Sequence, residues 1–130
     1  MQDERERFDR LLEEVLDALP QELAELLEEV PLIVDDLPDA ATRKRLGARN
    51  PLGLCGLYTG IPLTRRSVEH SGSLPDAVTI FRRGIIESAR GRDGKVRDAA
   101  LRRQIRITIL HEIGHHFGLT EAQLRKYGYG

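Results

Sequence analysis

Residues 104–121 read QIRITILHEIGHHFGLTE, and the spacing within them decides how the rest of the chain is read. Ile105, Ile109, Ile113 and Phe117 recur every four residues, the period of one α-helical face. His111 and His115 keep the same interval on the opposite side. On a helix, residues four apart differ by about 40° in direction and about 6 Å in height. The two imidazoles therefore project side by side, as two ligands of one metal ion must. Glu112 falls about 60° beyond His115 on the helical wheel. It borders the metal position without occupying it, where a carboxylate can take a proton from a metal-bound water. This is the H-E-x-x-H pattern, in which zinc lowers the pKa of water and a carboxylate base completes its activation.

The same wheel separates His116 from the pair. It points about 100° away from His115, towards Ile109 and Ile113, and is expected to pack and donate a hydrogen bond. A catalytic zinc usually takes three protein ligands, and beyond His115 only His116 and Glu121 are strong ligand types. On an uninterrupted helix Glu121 would stand about 15 Å along the axis from His111, out of reach. Gly118 offers a way back, because glycine adopts the left-handed conformation that ends helices and reverses the chain. The extended pattern is then H-E-x-x-H-x-x-G-x-x-E, with His111, His115 and Glu121 as ligands. Glu121 also has a plainer reading. Thr120 can cap a following helix with Gln123 completing a capping box, which leaves Glu121 as a favourable charge in the first turn. The two readings are compatible. Asp35, Asp36, Asp76 and His70 are the other candidates for a third ligand.

At 130 residues the chain is the size of one domain, expected to span 1–130. Twenty basic residues face 21 acidic ones for a net charge of −1, which gives no basic excess for nucleic acid and no field for a membrane surface. The arginine pairs Arg82-Arg83 and Arg102-Arg103 read as solvated faces. Cys55 is the only cysteine, which excludes an internal disulfide and fits a cytoplasmic protein. Set among small and apolar residues in PLGLCGLY, it reads as a buried structural thiol. The charged opening MQDERERFDRLL lacks a signal-peptide core, and no apolar run approaches the ~20 residues of a membrane span.

Upstream of the motif, Phe8, Leu11, Leu12, Val15, Leu16 and Leu19 trace an amphipathic helix over 3–19. Pro20 ends it and opens a second helix, PQELAELLEE. VPLIVDD has the β-branched composition of a buried strand, and AVTIFRR (77–83) that of another. Between them, residues 36–76 hold four of the six prolines and are expected to form loops, one or two short strands and a helical turn near Ala40–Leu46. A loop-rich stretch of that length is often functional. GIIESARG suits a short helix, GRDGK a polar turn, and TEAQLRKYG a last helix after Gly118.

With the motif in place, the sequence resembles the zincin metallopeptidases, and its ligand spacing is similar to that of the metzincin subgroup. It departs from metzincins in carrying glutamate at the third ligand position and in having no methionine turn, since Met1 is the only methionine. Over most of its length, including GLYTGIPLTRRS, SGSLPDAVTIFRR and ITILHEIGHHFGLTE, it resembles a family of small bacterial zincin-like proteins, the minimal zincins. That resemblance implies an α+β fold, a small sheet packed on a long active-site helix with flanking helices. It also implies His111, His115 and Glu121 as zinc ligands, Glu112 as general base, and a sheet edge that pairs with an extended peptide. AVTIFRR is a candidate for that sheet, as an edge or a central strand. Tyr58, Thr59, Arg65 and Arg66 are expected to flank the cleft, with Tyr58 either packed or aiding an oxyanion.

The function expected is hydrolysis of peptide bonds in a peptide or protein substrate, with Zn2+ as cofactor. Two other readings stand beside it. One is a non-catalytic zinc-binding or interaction domain that retains the site, and the other a metal hydrolase acting on something other than peptides. Structural zinc sites close with four protein ligands, whereas this motif offers three, which favours the enzyme.

Overall fold

The computed structural model describes residues 2–47, 50–60 and 76–127. Its elements run α1 (Gln2–Asp17), α2 (Gln21–Glu29), β1 (Leu32–Asp35), α3 (Ala40–Leu46), a 3-10 turn (Pro51–Gly53), β2 (Gly56–Thr59), β3 (Ala77–Phe81), α4 (Arg82–Ser88), α5 (Asp98–Phe117) and α6 (Glu121–Lys126). The strands form one mixed sheet ordered β1-β3-β2, with β1 parallel and β2 antiparallel to β3. This is the α+β arrangement expected, and AVTIFRR supplies its central strand. Both β1 and β2 are edges of the described sheet.

Strand alternation decides which face meets the helices. Val78 and Ile80 of β3 are fully buried and join Phe8 and Leu11 of α1 and Ile105, Ile109 and Ile113 of α5 in the main core. Leu32 and Val34, registered with Val78 and Ile80, pack on the same side. The opposite face of β1 is open, with Ile33 43% exposed. VPLIVDD is therefore a half-covered edge strand rather than a buried one, because among the described residues only β3 flanks it and only one face has helices over it. A smaller cluster of Leu19, Leu23, Leu110 and Leu124 holds α2 and α6 against the other side of α5.

Two further expectations change. Arg82 is not a solvated charge: its side chain is 14% exposed, and its guanidinium bonds both Asp9 oxygens, at 2.9 and 3.2 Å, and Asp36 at 3.0 Å. It clips α1 and the segment after β1 to the start of α4. Cys55 is half-buried rather than enclosed, with its thiol 3.2 Å from the Ser88 hydroxyl. Among the described residues no helix is long and apolar enough to cross a membrane.

Candidate metal centre

Helix α5 delivers the motif as its periodicity requires. Ile105, Ile109 and Ile113 face the core, while His111 and His115 turn outward with ring centroids 4.4 Å apart. The Glu112 carboxylate lies between and beneath them, 3.5 Å from Nδ1 of His115 and 3.9 Å from Nε2 of His111. One ligand-type atom from each of the three lies within 4.8 Å of the others. The histidines are open to solvent on one side, whereas Glu112 is only 5% exposed. Burial raises its pKa; His115, His111 and a hydrogen bond from the Tyr58 backbone N–H pull the other way without cancelling the rise.

Why that N–H reaches Glu112 follows from the sheet. The Phe81 N–H bonds the Cys55 carbonyl at 2.8 Å, so in this antiparallel pair Cys55, Leu57 and Thr59 face β3 with their backbone groups. Gly56 and Tyr58 turn theirs outward, along the edge beside α5. Their side-chain positions, registered with Ile80 and Val78, also face the helix layer. Gly56 sits against Thr108 and Glu112; a Cβ there would lie 2.9 Å from Thr108 Cγ2 and 3.1 Å from Glu112 Cγ. Tyr58 lies one turn further along, its hydroxyl 3.2 Å from His116 Nδ1. The edge strand thus runs beside the motif helix in the same direction. A cleft of about 260 Å³ opens between them, bordered by Leu54, Cys55, Gly56, Ile107, Thr108, His111 and Glu112.

Past Phe117 the chain reverses. Gly118 is left-handed at φ 66°, and the Gly114 carbonyl accepts from the N–H of Gly118 and, at 3.0 Å, from that of Leu119. Thr120 caps α6 and Gln123 closes the capping box, so Glu121 is the first residue of α6. Its side chain is exposed and stands outside the converging group of His111, Glu112 and His115. The other third-ligand candidates are engaged elsewhere or lie apart from that group. Asp36 is tied to Arg82 and Arg5, Asp76 accepts from Tyr58 at 3.1 Å, and Asp35 ends the far edge strand. His70, Arg65 and Arg66 lie outside the described residues. His116 is buried, within ring contact of Phe117 at 4.3 Å and Tyr58 at 5.3 Å. Sequence reading missed Gly56 and the Tyr58 backbone. The only signal for either was a glycine one residue before a short β-branched and aromatic run.

Two imidazoles at ligand spacing and an adjacent buried carboxylate suit a borderline divalent ion such as zinc better than calcium or magnesium, which prefer all-oxygen sites. The H-E-x-x-H helix beside an edge of the described sheet is the arrangement that the resemblance to zincins implies. Comparison with family models agrees: residues 27–129 match the zincin-like metallopeptidase family, and the chain belongs to it. Comparison with curated proteins gives no match.

Proposed function

We propose that this protein is a zinc-dependent peptidase that hydrolyses peptide bonds with Glu112 as general base. The observation that carries the reading is the Glu112 carboxylate, buried at the floor of an open cleft between two solvent-facing imidazoles. His111 and His115 would hold the ion, and Glu121, at the head of α6 beyond the Gly118 turn, would have to swing its exposed side chain towards them to serve as the third ligand. Bound there, zinc would polarise a carbonyl and bring the pKa of a water towards neutrality. Glu112 takes the proton from water as its oxygen adds to the peptide carbonyl carbon, then delivers it to the nitrogen as the C–N bond breaks. Burial suits this task, since a raised carboxyl pKa makes a stronger base near neutral pH. The outward backbone groups of Gly56 and the outward carbonyl of Tyr58, whose N–H is taken by Glu112, suit an extended peptide laid along β2. Peptides or unstructured protein segments are thus the substrate class, and the single free thiol suits a reducing compartment such as the cytoplasm.

A quenched-fluorescent peptide library tests the reading. Cleavage should appear with zinc, vanish with a chelator and return when zinc is restored. A zinc-loaded protein that cleaves no member of the library would favour a binding domain instead.

A further inference from the structure

We propose that Tyr58 is a positioning residue for the general base, its hydroxyl clamping the edge strand to the motif helix at the level of Glu112. The inference rests on the peptidase reading. Strand β2 is four residues long and, among the described residues, pairs with β3 alone, a weak anchorage for an element that must hold a catalytic carboxylate in place. Only Gly56 and Tyr58 face α5 from β2, and glycine has no side chain to grip with. The tie between strand and helix on that face therefore runs through Tyr58.

Its chemistry has a direction. A phenol has one proton, and here it goes to Asp76 Oδ1 at 3.1 Å. The oxygen's lone pairs are then left to accept from His116 Nδ1 at 3.2 Å, which places a proton on that ring nitrogen. The chain His116 to Tyr58 to Asp76 links α5, β2 and the start of β3. His116 is 3% exposed, so packing fixes the ring that meets the half-buried phenol. The Tyr58 backbone N–H reaches the Glu112 carboxylate. Movement of β2 is thus transmitted to the base through the Tyr58 backbone, and the close approach of Gly56 to the Glu112 side chain leaves little slack. The motif's two adjacent histidines divide the work: His115 faces the metal position and His116 holds the strand beside it.

Tyr58→Phe keeps the ring and the backbone N–H and removes the clamp. Zinc stoichiometry should be unchanged and KM should stay within about twofold, while kcat falls about tenfold. Amide hydrogen exchange at position 58 should quicken about tenfold, while core amides of α5 and β3 keep their rates. Asp76→Ala should reproduce the loss, and Asp76→Asn, which keeps the accepting oxygen, should recover most of it. Wild-type kcat and exchange in Tyr58→Phe would overturn the clamp. So would a fall in kcat matched by lost zinc, or by faster exchange across the whole core. If the wild type itself cleaves no peptide, the peptidase reading falls. Exchange at position 58 in Tyr58→Phe then decides the clamp alone: quickened exchange supports it and unchanged exchange overturns it.

Discussion

Replacing Gly56 with alanine would push a methyl group into the narrowest gap of the site. The new Cβ would lie 2.9 Å from Thr108 Cγ2, 3.1 Å from Glu112 Cγ and 3.3 Å from the Thr79 carbonyl oxygen. Carbon atoms in contact prefer about 3.5–4.0 Å, so the strand must withdraw by roughly half an ångström or more. Overpacking of this kind costs about 1–3 kcal/mol. With an unfolding entropy of about 2.1 cal/mol/K per residue, 130 residues give about 4 °C of Tm per kcal/mol. Gly56→Ala should therefore lower Tm by about 4–12 °C in calorimetry. Because the displaced neighbour is Glu112, turnover should fall roughly tenfold with zinc retained, a fraction of the loss an ångström of misplacement can bring. Gly53→Ala is the control. A Cβ at that position meets nothing within 4 Å, and stability should change by about 0.5 kcal/mol at most. A Gly56→Ala protein that melts with the wild type and keeps full turnover would refute the close strand–helix contact.

Other outcomes follow from the same structure. Glu121→Ala should weaken zinc binding about tenfold or more in a competition titration, whereas a residue serving only the first turn of α6 would leave affinity unchanged. Gly118→Val should cost about 1–2 kcal/mol in urea unfolding, because a β-branched residue resists φ 66°, while Gly118→Asn should keep most of the stability. Arg82→Ala should lose about 1–2 kcal/mol at pH 7, a figure discounted for the solvent reaching Asp9 and Asp36. Burial tends to raise the Asp36 pKa, but hydrogen bonds from Arg82 and Arg5 lower it overall. Its stabilisation is thus fully present above the unfolded carboxyl pKa near 3.9 and fades as pH falls through the lower folded value. Unfolding free energies measured from pH 6 to pH 2 should show that decline in the wild type and a shallower one in Arg82→Ala.

The parts of the site governed by local rules were legible in the sequence. Helical periodicity separates His111 and His115 from the Ile105–Ile109–Ile113 face, and Gly118, Thr120 and Gln123 are local cap signals that the backbone obeys. What stayed hidden depends on partners distant in sequence. GLYT is too short to announce a strand, and becomes one because β3 pairs on one flank and α5 packs on its face. Arg82 looks solvated beside Arg83, yet its carboxylates come from positions 73 and 46 residues away. Cys55 sits among apolar neighbours in the chain, but the fold sets it at the lip of the cleft beside Ser88. The open face of β1 was likewise invisible, since apolar composition does not tell a strand with two neighbours from a strand with one.

The proposed reaction needs a metal held by His111 and His115 and a proton carried by Glu112. Zinc content and peptide turnover measured on the same preparations of wild type, Glu112→Gln and His111→Ala test it most directly. The wild type should be zinc-loaded and active, Glu112→Gln zinc-loaded but inactive, and His111→Ala should bind zinc poorly and cleave nothing. Turnover by Glu112→Gln at the wild-type rate, or full zinc retention by His111→Ala, would contradict it.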